Sequence, residues 1–310
     1  MLRAQRKNSV FLTDFEDFPP FQHGDYYVKF DVRHLSENSR KKAEKELNET
    51  LENRERAFKE MSKLIQQEED LHIPHDNIYF MLKFLRPKKF DVEEAFQLMK
   101  NYFKFKTEFP ELFIGIVPSE QAYIYAMNGV FLSPRPDKDG HKVVMARVDR
   151  FKFDIATPMQ IIASGFVAAE GAMMDQEGQV NGFVGVLDCS GFSYRHFKLI
   201  TLPLIKLGLR VFQNVMPGIP IRAHIMHQNV LVHSLYKLIK PFLPQQFIDM
   251  IHFHGDNYNE LLEYVPKECL FEYFGGSLEE PEITEEEYRN FLKQFDEEYI
   301  ALNSIGYKSS

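Results

Sequence analysis

Between residues 221 and 240 the chain reads IRAHIMHQNVLVHSLYKLIK, passing from an extended apolar run into a helical segment that is apolar on more than one side. Val230, Leu231, Val232, Leu235, Tyr236, Leu238 and Ile239 occupy more than one helical face. A helix of that kind must be buried or must cover something apolar. Periodicity alone favours the first reading, an ordinary core helix of an α/β domain. The rest of the chain has to decide between them.

Residues 36–69, SENSRKKAEKELNETLENRERAFKEMSKLIQQEE, contain no Gly or Pro and carry Leu47, Leu51, Phe58, Met61 and Ile65 at helical spacing. They predict one long amphipathic helix with a solvated charged face, including the basic run Arg40, Lys41 and Lys42 interleaved with Glu44 and Glu46. A second helix follows over Asp76 to Leu85. In a third, Asp91 is placed to cap with Glu94 at the reciprocal position, and Ala95, Leu98, Met99, Tyr102 and Phe103 recur on one face before Pro110 ends the run. Residues 36–115 thus read as a small helical lobe. Residues 1–35, with Pro19, Pro20 and Gly24, read as a loosely ordered arm able to pack its Phe side chains on the body.

Near Tyr123 the pattern changes to alternation. Gly129 to Leu132 and Lys142 to Val148 predict two strands across the turn Pro134 to Gly140. Thr157 can cap a helix from Pro158 to about Met174. Phe183 to Leu187 predicts a buried strand that ends at Asp188. A helix from about Ser193 to Asn214, the strand Ile221 to Met226 and the apolar helix complete a repeated strand–helix order. That order implies an α/β fold whose sheet contains parallel pairs and crossover helices.

With 310 residues, 44% of them hydrophobic, the chain can bury a large core and divides naturally into one large lobe and a smaller one. A net charge of −8 gives no positive field to attract nucleic acid. Cys189 and Cys269 are too few for a disulfide framework, which fits a reducing, cytoplasmic setting. The basic residues Arg3, Arg6 and Lys7 are not followed by an apolar core of the secretory kind. Pro203, Lys206 and Arg210 break the greasiest region, so no membrane span is expected.

Chemistry is harder to find. His224, His227, His233, His252 and His254 cluster in sequence, yet on a strand His224 and His227 point to opposite faces, and His252 and His254 share one without a third ligand nearby. The expectation is structural histidines and no metal. Around Ser190 the turn Asp188-Cys189-Ser190-Gly191-Phe192 lacks the Gly of a nucleophile elbow, and no phosphate-binding glycine loop exists. Neither catalytic residues nor a cofactor is expected.

Three stretches then converge. Residues 84–113 (FLRPKKFDVEEAFQLMKNYFKFKTEFPELF), 179–193 (QVNGFVGVLDCSGFS) and 239–278, which contain IKPFLPQQFIDMIHFHG, LLEYVP and FGGSL, closely resemble the CRAL-TRIO lipid-binding family in order and over roughly residues 36–278. The resemblance is nearest to its tocopherol-transfer, retinaldehyde-binding and clavesin-like branch. It implies a helical N-terminal lobe at 36–115, a lipid-binding domain at 116–278 with a mixed β-sheet, flanking helices and a mobile lid helix, and an acidic C-terminal tail at 279–310. The apolar helix becomes that lid, running from about Val230 to Ile251.

By alignment to the family, the pocket wall comprises Ile162, Phe166 and Ala169, then Phe183 and Leu187, Leu209 and Phe212, and Ile219 and Ile221. His224 falls where the branch has an apolar residue, and is expected to make a polar contact to the ligand. Leu235, Leu238, Ile239, Phe242, Phe247 and Ile248 are expected to gate the pocket and touch membrane. Of the family's basic cleft for phosphoinositides only Lys88 and Arg222 remain; Pro220, Gln246 and Met250 stand at other basic positions, so specific phosphoinositide binding is expected to be weak or absent.

The resemblance therefore implies a non-catalytic, monomeric carrier of one hydrophobic lipid, such as a retinoid, carotenoid or tocopherol, peripherally associated with membranes. The alternative is a lipid-responsive trafficking or signalling adaptor. For that reading the tail Glu279 to Glu298, with Ile283, Tyr288, Phe291 and Phe295 at helical spacing, could engage a partner, or it could dock on the body.

Overall fold

The structure is a computed structural model and describes residues 20–23, 26–28 and 31–307. Residues 1–19, most of the expected arm, lie outside the described residues. What is described of the arm packs on the body. The strands β1 (Phe21–His23) and β2 (Tyr26–Val28) pair antiparallel, the Phe21 ring lies tilted against Phe291 with centroids 4.1 Å apart, and the Asp31 amide donates to Asp175 Oδ1 at 2.8 Å.

The expected long helix at 36–69 is two helices, Glu37–Leu47 and Leu51–Gln67. The break is local chemistry. Asn48 adopts a left-handed conformation (φ 63°) that ends the first helix, and Thr50 accepts a hydrogen bond from the Asn53 amide to start the second. Neither Gly nor Pro was needed, so the interruption is invisible to a search for breakers. The strand β3 (Leu71–His72) and the helices Ile78–Leu85 and Val92–Glu108 complete this region. Asp91 caps the last of these by accepting from the Glu94 amide, while Glu94 turns its carboxylate toward Lys88 Nζ at 3.6 Å. The reciprocal capping bond is thus replaced by an ion pair.

The central sheet runs β4 (Val130–Leu132), β5 (Lys142–Arg147), β6 (Phe183–Asp188), β7 (Pro220–Met226) and β8 (Ile251–Gly255), in that spatial order. Only β4 is antiparallel to its neighbour; β5 to β8 are parallel. The mixed, parallel-rich α/β fold is as expected, and the edge strand β8 begins at Ile251, where the expected lid ends. Gly182 ends the short helix Gln176–Asn181. It lies at φ +80° before β6, and a Cβ there would meet the Ile219 carbonyl oxygen at 2.6 Å, so glycine is required for the turn into the sheet.

The helix Pro158–Met174 has Thr157 and Gln160 bonded reciprocally in a capping box. The expected single helix at 193–214 is split into Tyr194–Leu199 and Leu202–Asn214. Thr201 recaps the chain by accepting from the Leu204 amide, with Pro203 in the first turn. The lid region is likewise in pieces: Val230–Ile239, a 3-10 turn Lys240–Phe242 and Gln245–Asp249, broken where Pro241 and Pro244 lack donors.

Two cores organise the chain. The larger joins the N-terminal helices through Phe80, Phe84, Tyr102, Phe103 and Phe105 to Ala163 and Phe166. The second joins Val143, Met145, Val184, Val186 and Met226 of the sheet to Leu261, Val265, Leu270, Phe271 and Phe274. The tail docks. Its helices Glu285–Leu292 and Asp296–Ser304 bury Tyr288, Tyr299 and Leu302, the turn Lys293–Phe295 between them buries Phe295, and β9 (Gly306–Tyr307) pairs with β3. Arg86, 1% exposed, ties the regions together with a bidentate pair to Glu49 at 2.8 and 3.0 Å and bonds to Gln176 and Gln179 at 2.6 and 2.7 Å.

Candidate functional site

Side chains alternate across a strand, so each strand of the sheet offers one set to either face. The first face is packed. Val143, Met145, Val184, Val186 and Met226 are buried there beneath the segment 258–278. Asp188, 1% exposed, ends this row at the carboxyl edge, accepting from the Ser190 amide at 2.7 Å and bonding His227 Nδ1 at 2.5 Å.

The second face is different in kind. Val144 and Ala146 of β5, Gly185 and Leu187 of β6, Ala223 and Ile225 of β7, and Ile251 and Phe253 of β8 all retain accessible surface. β6 is the middle strand of five, where side chains in a close-packed α/β protein would be sealed beneath crossover helices. A Cβ built on Gly185 finds no atom nearer than the Arg222 carbonyl oxygen of the adjacent strand, at 4.0 Å. Open space stands over the centre of this face.

The helices around that space carry the same signature. The helix Pro158–Met174 spends Ala163, Phe166, Val167 and Glu170 on buried contacts, while Gly165, Ala168, Ala169 and Ala172 stay accessible. Cβ atoms added at Gly165 or at Gly208 of Leu202–Asn214 would meet nothing within 4 Å. In Leu202–Asn214 only Ile205 is buried, and in Val230–Ile239 and Gln245–Asp249 no residue is. The helix Val230–Ile239 reaches the open face through Phe253, whose ring lies 5.3 Å from His233 and 4.9 Å from Tyr236. An accessible apolar floor, helices with accessible small and apolar residues and a helix resting on one edge are the elements from which a site for an apolar molecule can be built.

The expected wall residues divide. Ala169 and Leu187 lie on these accessible surfaces and Leu209 is half-buried. Phe212 is 66% exposed. Ile162 packs against the helical core, and Phe166 lies within it, its ring centroid 5.1 Å from Phe113. Phe183 and Ile221 are half-buried near the start of the sheet, and Ile219 packs with Ala43, Leu47 and Val180. Of the expected lid residues, Leu238 and Phe242 are exposed, while Leu235, Ile239, Phe247 and Ile248 are half-buried. Gly185, Ala223, Ile225 and Phe253 were not anticipated. Their signal was present as the opposite parity to Val184, Val186 and His224.

His224 has no exposed surface. Strand alternation puts it on the packed face, stacked with His252 at 5.3 Å and tilted against Tyr264 at 5.1 Å, with its Nδ1 2.8 Å from His254 Nε2. Burial, then the neighbouring His254 and His252, depresses its pKa to about 3. It is therefore neutral. His254 Nδ1 faces Glu260 Oε1 at 3.4 Å without hydrogen-bond geometry, and His224 Nε2 is buried without a partner. Arg222 lies over the Tyr264 ring at 5.9 Å.

Among the described residues Asp137, Asp139 and His141 come close enough to hold an ion. Their bonds already form a turn, however, with Asp137 accepting from the amides of Asp139 and His141 and contacting His141 Nδ1. This turn borders a cleft of about 490 Å³ whose walls mix Lys42, Asp139 and Glu177 with Tyr27, Val28 and Pro136; none of the open-face strand residues lines it. No helix among the described residues is long and apolar enough to cross a membrane.

Residues 126–276 match the CRAL/TRIO domain, that of a lipid-binding and lipid-transfer family. Over 246 residues, 79% of the chain, the sequence is 27% identical to Clavesin-1 of Xenopus laevis, of which it covers 74%. It is 28% identical to Clavesin-2 of Homo sapiens over the same length, covering 75% of that protein. The solved structure of Sfh5 overlaps 84% of this chain and 98% of its own, at 14% identity and a TM-score of 0.47.

Proposed function

We propose, for a chain that carries a CRAL/TRIO domain, a non-catalytic carrier that holds one hydrophobic lipid of the retinoid, carotenoid or tocopherol kind against the open face of the sheet and exchanges it at membranes. The observation that carries this reading is the accessible aliphatic surface on the central strand, from Gly185 to Leu187, together with two helices in which Ile205 is the one buried residue. Apolar surface left open costs roughly 25 cal/mol per Å², and an apolar ligand removes that cost on both sides at once. Ala169, Leu187 and Leu209 are assigned to the wall, and Val230–Ile239, with the pieces up to Asp249, to the movable cover. The division into a helical lobe at 36–115 and a lipid-binding lobe at 116–278 is part of the same reading.

Leu238, Phe242 and Phe212, at 52%, 57% and 66% exposure, form the surface that meets a bilayer when the cover lifts. The adaptor alternative drew on a free acidic tail. Since Tyr288, Phe295 and Tyr299 are buried against the body, the tail offers a partner less apolar surface than its sequence suggests. Organic extraction of the purified chain with absorbance and mass spectrometry tests the carrier. One apolar molecule per chain is expected, and a chain that neither carries nor takes up any such molecule would sink the idea.

A further inference from the structure

The register of the sheet gives the open face a relief that composition does not reveal. Across the strands one row reads Val144, Gly185, Ala223 and Ile251. The next row toward the carboxyl edge reads Ala146, Leu187, Ile225 and Phe253. Gly185 and Ala223 therefore sit side by side at the centre of one row, while Leu187, Ile225 and Phe253, beyond Ala146, form a ridge in the other. Phe183 stands on the far side of Gly185 along β6. At a rise of about 3.3 Å per residue, Phe183 and Leu187 are roughly 13 Å apart, and three strand spacings put Val144 about 14 Å from Ile251.

We infer that Gly185 and Ala223 form the base of a pit in this floor that receives the widest part of the ligand, a ring system broader than a single acyl chain. The inference rests on the carrier reading and deepens it. An unbranched chain can lie along the floor at the level of Leu187 and Ile225 and has no need of the pit. A ring must sink into it to stay beneath the covering helices. The position is open to change: Gly185 lies outside the left-handed region and its Cβ direction is clear, so larger residues enter without backbone strain.

The test uses the full chain and two probes. All-trans-retinol has a ring and a polyene tail; cis-parinaric acid is an unbranched polyene. Gly185→Val and Ala223→Leu are expected to weaken retinol binding at least about tenfold, as added carbon in a tight apolar pocket does, and to leave parinaric acid within about threefold. Gly185→Ala should give a smaller loss in the same direction, and it can be read even where the larger variants fail to fold, as thermal melting will reveal. Unchanged retinol affinity, or equal losses for both probes, overturns the pit while leaving the carrier intact. If the unmodified chain takes up neither probe, the carrier reading falls and the pit with it.

Discussion

Tyr236 meets Phe253 edge to face, with ring centroids 4.9 Å apart and planes at 64°. The contact fastens the helix Val230–Ile239 to the edge strand of the open floor, and His233 adds a second ring to the same Phe253. Aromatic pairs of this geometry contribute about 0.5–1.5 kcal/mol beyond the area they bury. If the helix is a cover, Tyr236→Ala should hasten ligand transfer between vesicles several-fold. A double-mutant cycle with Phe253→Ala should return a coupling of about 1 kcal/mol in the closed state; additive effects would mean that the pair does not hold the helix down.

The apolar side chains left outside make a second expectation. Leu238 and Phe242 are 52% and 57% exposed, so Leu238→Glu and Phe242→Glu should leave the melting temperature within about a degree or two, as exposed changes usually do. Vesicle recruitment, measured by sedimentation, should fall by roughly tenfold or more, the equivalent of about 1.5–3 kcal/mol for one large side chain withdrawn from the bilayer.

Phosphoinositide selectivity should be slight. Arg222 is engaged over Tyr264, and Lys88 is paired with Glu94 at 3.6 Å, while Pro220, Gln246 and Met250 offer no cationic group. Recruitment to otherwise matched vesicles with and without phosphatidylinositol bisphosphate should agree within about twofold, since two partly engaged cations are a poor match to several phosphate charges. A steep bisphosphate dependence would show donors recruited from elsewhere.

Stability should decline in acid through His224. Its ring is held neutral to about pH 3 by burial, against 6.5 for an ordinary histidine. The unfolded chain therefore takes up a proton below about pH 6.5 that the folded chain refuses, and stability falls as pH drops through that window, by up to about 1.4 kcal/mol per pH unit. Denaturant titrations of His224→Gln should give a shallower slope between about pH 6 and pH 4. Equal slopes would place the acid sensitivity in other groups.

Arg86 should matter more to stability than any surface ion pair. It is buried, and its partner Glu49 has a side chain only 5% exposed. Arg86→Ala leaves that buried carboxylate only the longer contact to Arg54 Nη1 at 3.5 Å and is expected to cost about 3 kcal/mol in chemical denaturation. Replacing Arg56, whose pair with Glu60 is half-exposed on one helix face, should cost no more than about 0.5 kcal/mol.

Much of this architecture was legible residue by residue. Thr157 with Gln160, Asp91 before Val92 and the alternation of β5 announce their elements, because caps and periodicity act over a few residues. The three separated motifs at 84–113, 179–193 and 239–278 carried the resemblance. Where sequence reading erred, the cause was also local: Asn48 can adopt a left-handed turn without glycine, and Thr201 can start a new helix where apolar spacing alone reads straight through.

The stretch from 221 to 240 marks the limit of that reading. Its amino acids determined that a strand would be followed by a helix with more apolar surface than one packed face can use. Which side of the strand would be sealed was decided elsewhere. In β6 both parities are apolar or small, Phe183, Gly185 and Leu187 against Val184 and Val186, so hydrophobic patterning names no inner face. Leu261, Val265, Leu270, Phe271 and Phe274, arriving from late in the chain, cover the face of Val184 and Val186, and Tyr264 of the same segment lies against His224. The other face keeps its accessible surface, and among the described residues no late segment of the chain packs on it as these residues pack on the first. Alternation is a property of one strand, whereas an unfilled space depends on what every surrounding element fails to supply, and only their assembly defines it.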